Sequence, residues 1–285
     1  MEKQMLNGII LLDKPKGISS NTAVNIVKHV VKVQKAGHLG TLDVLGHGLL
    51  PVTLSKATKL FDYFLNKDKE YIASFKFGME TDTFDLEGEI TRVNDKIITE
   101  QDVLNVIPNF IKKQNQMPPK YSAKKINGKK AYDLARRGEE VNLKPKEIEI
   151  YDLKLLKQIN TNEFFFKIHC SSGTYIRSLC RDIADALSTC GVMSDIIRTR
   201  CGNLCLENAH SLEDVKNGNY KILPCEDLFE FESIYLKKQD SFKVLNGVNI
   251  DIDVKDGKYK IFDDKDFIGI GKVKDRKMKI ILRLI

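Results

Sequence analysis

The stretch GHLGTLDVLGHGLLPV, residues 37–52, decides how the chain is read. Its first ten residues mix glycine with polar groups, and its end, Leu49 to Leu54, is an apolar run suited to a buried strand. Asp43 therefore sits in a loop between a helix and a strand, flanked by His38 and His47. Glycines at 37, 40, 46 and 48 let the backbone adopt positive φ and approach a ligand closely. Loops held by rigid elements are where reactive groups usually lie. From the residues alone, Asp43 either serves chemistry or satisfies loop amides. A His38–Asp43–His47 metal set lacks a fourth ligand at sensible spacing.

Outward from this loop, strands and helices mix without strict alternation. Ile9 to Leu12 reads as a short buried strand, followed by the turn-forming DKPKGISS. Ser20 or Asn21 is placed to cap a helix with Val24, Val27, Val30 and Val31 on it, and Ser55 to cap another from Lys56 to Leu65. Tyr71 to Phe77 alternates as a strand, and TDTFDLEG follows as a polar loop. Thr99 with Asp102 three residues on opens a short helix. Asn162 to Cys170 is a strand, and Thr174 to Leu187 a helix with Ile176, Leu179, Ile183 and Leu187 on one face. This pattern predicts an α+β fold rather than a doubly wound one. From about Phe229 short β-like runs are separated by Asn-Gly and Asp-Gly at Gly247 and Gly257, which predicts a small all-β domain over 229–285 beside a larger one over 1–228.

With 285 residues, 42% hydrophobic and 30% charged, the chain can build its core without disulfides or metals. The apolar run near its start, Gly8 to Leu12, is too short for a signal peptide or a membrane span, so a cytoplasmic protein is expected. The six cysteines all fall between Cys170 and Cys225 without a CxxC pair, and are expected as free thiols.

The net charge of +7 is concentrated. Lys112 to Lys146 carries eleven basic and three acidic residues, leaving 35 basic against 36 acidic elsewhere. A clustered excess attracts a polyanion far better than the same charge spread evenly. A solvated lysine-rich surface is the plainer reading of the same residues.

The 37–52 stretch resembles the signature of the bacterial tRNA pseudouridine-55 synthases, the TruB family, usually GHxGTLDPxATGxLP. Further similar strings run in the family's order: DKPKGISSN at 13–21, KEYIASFKFGMETDTFD at 69–85, PPKYSAKKINGKKAYDLARRGE at 118–139 and HCSSGTYIRSLCRDIADAL at 169–187. The resemblance implies a mixed, largely antiparallel sheet flanked by helices, with a small PUA-like RNA-binding domain at the carboxyl end. It implies that a uridine in the tRNA T-loop is flipped out and isomerised, with no cofactor, no metal and no obligatory protein partner, by a monomer.

The resemblance also implies roles for residues. Asp43 matches the catalytic aspartate, and Tyr71 the tyrosine that stacks on the base and serves as a base. Tyr175 and Arg177 match the pair lining the pocket, with the arginine on the aspartate and Asp85 supporting it. His38 matches the histidine that enters the T-loop, Lys14 a lysine at the site floor, and Ile196 a residue packing against the base. Segment 118–146, with Lys124, Lys125, Lys129 and Lys130, would clamp the T-arm.

The physical reading agrees. A buried base must be extruded before its glycosidic bond is reached, an aromatic then stacks on it, and a carboxylate stabilises or traps the cationic sugar. Arg177 lies in a helix's first turn, where a positive charge is mildly unfavourable and calls for a partner. The sequence departs from the pattern at Val44 for proline and at Gly46-His47 for Ala-Thr, which loosens the loop. The rivals are a sister synthase acting on rRNA or with a guide RNA, and an inactive RNA-binding protein on the same fold; Asp43, Tyr71, Tyr175 and Arg177 together argue against the latter.

Overall fold

A computed structural model describes residues 6–119, 121, 125–126, 129–130 and 143–285. Its frame is a ten-stranded mixed sheet. The main path runs His210–Ser211, Gly8–Lys14, His47–Leu54, Gly191–Cys201, Lys69–Phe77, Glu163–Cys170, Lys146–Asn160 and Lys113–Gln116. Two pairings on that path are parallel, His210–Ser211 with Gly8–Lys14 and His47–Leu54 with Gly191–Cys201; the others are antiparallel. The strand His47–Leu54 is buried from Gly48 onward, on both of its faces.

Alternation along Gly8–Lys14 shows how the layers form. Ile10 and Leu12 pack with Val24, Val27 and Val31 of the helix Ser20–Val31, while Ile9 and Leu11 face Leu60, Phe64 and Phe229. Farther along the sheet, Ala73, Phe75 and Phe166 pack with Leu179 and Ile183 of the helix Ile176–Ala186.

Several local expectations shift. Ser19, not Ser20 or Asn21, caps the first helix, accepting from Thr22 N–H at 3.0 Å. The segment expected as one helix from Lys56 is a 3₁₀ turn, Ser55–Leu60, followed by one α-turn, Phe61–Leu65. Ser55 does not cap it: with φ +52° it turns the chain out of the strand, and the Lys56 N–H goes to Asn7 Oδ1 at 3.1 Å. That partner is distant in sequence, so no local pattern announces it. Thr99 and Asp102 form the expected capping box.

The carboxyl-terminal sheet takes the order Ser233–Leu236, Gly257–Asp263, Asp266–Lys274, Lys277–Arg283, Ile250–Asp251. It is not wholly β, since the helix Lys238–Leu245 packs on it. Asn246-Gly247 ends that helix instead of turning a hairpin, and Gly257 opens a strand. Tight hairpins lie at Asp264-Lys265 and at Asp275-Arg276, and in the second both residues have positive φ, 51° and 58°. The turn geometry is the one that matches strand twist, here adopted without glycine. Phe229, Ile270 and Leu284 join Leu39, Leu49 and Phe64 in one apolar cluster. All six cysteines are free.

Candidate active site

The Asp43 loop joins the short strand Ala36–His38 to His47–Leu54. Leu39 and Leu42 are its buried anchors, each entering a different apolar cluster. Ser20 Oγ accepts from Leu42 N–H and donates to Leu42 C=O, both at 2.8 Å, and Gly17 N–H donates to Val44 C=O at 2.9 Å. Gly46 N–H folds back on Asp43 C=O at 3.1 Å. Gly48, with φ +91°, passes so near Arg198 that a Cβ would meet its carbonyl oxygen at 2.6 Å. Only glycine fits there. Held at both ends, the loop presents Asp43 with a side chain 47% exposed.

Asp43 Oδ2 lies 2.9 Å from Arg177 Nη2. Arg177 comes from the first turn of Ile176–Ala186, and the partner its position calls for is double. Its Nη1 lies 3.0 Å from Asp85 Oδ2 and donates to Thr83 C=O at 3.1 Å, while Nη2 also donates to Tyr121 C=O at 3.2 Å. Arg177 and Asp85 are buried. Asp85 is itself fixed, accepting from Thr83 Oγ1 at 2.7 Å and Glu87 N–H at 3.0 Å. A buried charge needs this degree of satisfaction. The guanidinium is thus locked by the TDTFD loop and spends its outer edge on Asp43.

Beside this pair opens a pocket of about 580 Å³ whose walls include Asp43, Tyr71, Tyr175, Arg177, Ile196 and Arg198. Tyr71, on strand Lys69–Phe77, is buried, and burial pushes its phenol well above the usual range. It offers a ring and a protonated hydroxyl. Burial disfavours the phenolate that the expected role as a base would draw on, and leaves the ring on the pocket wall. Ile196 is buried in the wall formed by Gly191–Cys201. Tyr175 stands at the helix start, where Gln116 takes its backbone N–H and C=O.

The structure draws Asp43, Tyr71, Asp85, Tyr175, Arg177 and Ile196 together. Lys14 and His38 do not line the pocket. Lys14 is fully buried and donates to Pro15 C=O at 2.8 Å and Ile18 C=O at 2.7 Å; burial pulls its pKa down to about 8, against the nearby Asp43 charge. His38 has a buried Nδ1 without a hydrogen-bond partner among the described residues, and burial with the Arg198 charge lowers its pKa, keeping the ring neutral. His47 turns to Asp195, with Nε2 3.2 Å from Oδ1. Among the described residues no three His, Cys, Asp or Glu side chains group as metal ligands would, so the His38–Asp43–His47 set does not assemble. His169 pairs with Asp68, and His210 accepts from Lys221 N–H. Lys124 lies outside the described residues. Lys125–Ile126 pairs with Lys129–Lys130 as a short antiparallel ladder, and the side chains of Lys125, Lys129 and Lys130 also lie outside them.

Two participants carried no signal in the sequence. Arg198 is fully buried, lines the pocket, and donates from Nε to Leu49 C=O at 2.8 Å and from Nη2 to Gly40 C=O at 3.1 Å, so it grips the loop and its strand together. Gln116 sits in KQNQ, an unremarkable polar run.

A half-exposed carboxylate on a buried guanidinium, beside an aromatic-walled pocket on this mixed sheet, is the arrangement of a pseudouridine synthase. The fold matches a chain in the structure of an H/ACA RNP bound to a substrate RNA containing 2'-deoxyuridine, with TM-score 0.71, 23% identity and coverage of 98% of this chain and 85% of that one. The family model "TruB family pseudouridylate synthase (N terminal domain)" matches residues 28–176. The tRNA pseudouridine synthase B of Clostridium tetani is 38% identical over 98% of this chain and 100% of its own length. That of Mycoplasma mobile is 41% identical over 95% of this chain and 92% of its own. The chain belongs to the TruB family of pseudouridylate synthases.

Proposed function

We propose that this protein isomerises uridine to pseudouridine at position 55, in the T-loop of tRNA, with Asp43 as the catalytic carboxylate. The observation that carries the reading is the Asp43–Arg177 pair at 2.9 Å on the wall of the pocket. A uridine in the tRNA elbow must leave its stack to react. Once extruded, its ring lies against Tyr71 and Ile196, with Tyr175 opposite. The bond from ribose C1′ to uracil N1 breaks, and Asp43 meets the positive charge that develops on the sugar. The ring turns within the pocket, C5 bonds to C1′, and the C5 proton is lost while N1 gains one, so product and substrate are isomers. Arg177 keeps the carboxylate in place throughout.

His38 and Lys14 act from outside the pocket. His38, neutral, is offered to the T-loop, and Lys14 ties the turn beneath Asp43. Residues 1–228 form the catalytic domain, with 118–146 gripping the T-arm through Lys124, Lys125, Lys129 and Lys130, and 229–285 a PUA-like RNA-binding domain. The enzyme works as a cytoplasmic monomer; no helix among the described residues is long and apolar enough to cross a membrane.

Asp43→Asn tests the assignment. Product mapping on unmodified tRNA should show no pseudouridine, while tRNA binding stays within roughly tenfold because it rests mainly on phosphate contacts. Turnover by a verified Asp43→Asn preparation, free of deamidation, removes Asp43 from its role.

A further inference from the structure

Asp195 Oδ1 is the meeting point of three elements. It lies 2.7 Å from Lys16 Nζ, 3.2 Å from His47 Nε2, and accepts from Ile196 N–H at 2.7 Å. Lys16 belongs to the turn after strand Gly8–Lys14, whose next residue, Gly17, holds Val44 C=O. His47 is the residue at which the Asp43 loop enters its strand. Ile196 is the pocket-wall residue against which that loop rests, its Cγ2 3.5 Å from where a Cβ on Gly46 would lie. The register of Gly191–Cys201 shifts between Met193 and Asp195, so Asp195 sits at an irregularity of its strand, beside the loop.

This chain has particular need of such a tie. Where the resembling pattern has proline after the aspartate and Ala-Thr two residues on, it carries Val44 and Gly46-His47. Proline would have fixed φ, whereas valine leaves it free and glycine adds freedom. Yet Asp43 must stay in register with a guanidinium that cannot follow it, since Arg177 is locked on Asp85 and two carbonyls.

We propose that Asp195, through His47 and Lys16, is a positioning residue for the isomerisation, tying the part of the loop that follows Asp43, at Val44 and at His47, to the strand that carries Ile196. It touches no substrate and acts by holding the carboxylate where the sugar cation forms. The proposal rests on the reading of Asp43 as the catalytic group. Asp195 and His47 are each about one-quarter exposed and Lys16 is half exposed. Pairs this open contribute little to global stability, so the effect belongs in the rate.

The test compares single-turnover pseudouridine formation at saturating unmodified tRNA transcript with tRNA Kd and Tm. Asp195→Ala should slow the step about tenfold, as small misplacements of a reacting group do. Kd should change by less than about threefold, since phosphate contacts are untouched, and Tm should barely move. Asp195→Asn keeps an oxygen for Ile196 N–H and His47 and should recover most of the loss. Adding His47→Ala to Asp195→Ala should cost nothing further, because the two act through one node. Adding Val44→Pro to Asp195→Ala should restore part of the rate. An unchanged rate in Asp195→Ala overturns the proposal, as does a loss matched by Kd or explained by unfolding at the assay temperature. Asp43→Asn run in parallel separates the two ideas: if it is dead while Asp195→Ala is fully active, only the positioning role falls, and if it turns over, the catalytic reading falls first.

Discussion

The side-chain amide of Gln116 brackets the backbone of Tyr175, accepting from its N–H at 2.8 Å and donating to its C=O at 3.1 Å. Tyr175 opens the helix that carries Arg177 and has no side-chain cap of its own, so a strand residue 59 positions away supplies one. Gln116→Ala should remove this partner from both groups, leaving the C=O with Leu179 N–H at 3.0 Å, and cost about 1–3 kcal/mol. It should also lower kcat, because the start of the helix sets the height of Arg177 above Asp43. Urea denaturation and single-turnover kinetics check the two effects. Full activity and stability in the variant would show the bracket to be incidental.

Asp85 decides whether Arg177 is available at all. With Asp85→Ala the guanidinium keeps Asp43 and two carbonyls but loses its buried counter-charge. Removing one partner of a buried pair typically costs about 3–5 kcal/mol. Arg177 should then draw closer to Asp43 and neutralise it, so activity falls more than stability alone explains. Asp85→Asn, which still accepts from Thr83 Oγ1 and Glu87 N–H, should fall between wild type and alanine. Equal stability of the alanine variant and wild type in urea would contradict the buried-pair reading.

Lys14 gives a pH dependence whose sign can be worked out. Burial pulls its folded pKa down to about 8 from the ordinary lysine value of 10.5. Between these values the unfolded chain binds a proton that the folded chain does not, so Lys14 contributes stability that rises with pH through this window. Below about 8 the lysine is charged in both states and that contribution is absent. The stability of wild type relative to Lys14→Met should therefore increase from pH 7.5 to 10.5. A difference that stays flat across that range would mean Lys14 titrates normally. His38 behaves with the same sign lower down: its depressed pKa means stability is lost as pH falls through its unfolded value.

Much of this was legible in the sequence, for reasons visible in particular residues. Asp43, Tyr71, Asp85 and Arg177 lie in strings whose order along the chain is itself informative, and the packed helices show as spaced valines and isoleucines. Gln116, Asp195 and Arg198 were not legible, because each works through partners brought near only by folding, backbone groups for Gln116 and Arg198 and the side chains of Lys16 and His47 for Asp195. A side chain that serves main chain leaves no periodicity and needs no special neighbour. The Ser55 cap failed for the same reason, with Asn7 supplying the acceptor from 49 residues away. The hairpin at Asp275-Arg276 escaped notice because it adopts positive φ without glycine.

The basic segment separates RNA clamping from ordinary solubility. Eleven basic residues against three acidic ones lie between Lys112 and Lys146, and Lys125–Ile126 and Lys129–Lys130 pair there as a small ladder. Replacing Lys124, Lys125, Lys129 and Lys130 with Gln should weaken tRNA binding markedly. It should also flatten the plot of log affinity against log salt, each lost phosphate contact removing about 0.7 to 0.9 from the slope. If these lysines serve RNA and not the core, stability should change by no more than about half a kcal/mol per lysine. Catalysis at saturating tRNA should persist, because the pocket walls are untouched. An unchanged slope and affinity would move the grip elsewhere. The outer carboxyl-terminal sheet would be the first place to look, since Lys258, Lys272 and Lys279 stand in register across three neighbouring strands. The same salt titration on Lys258, Lys272 and Lys279 changed together to Gln would then decide it.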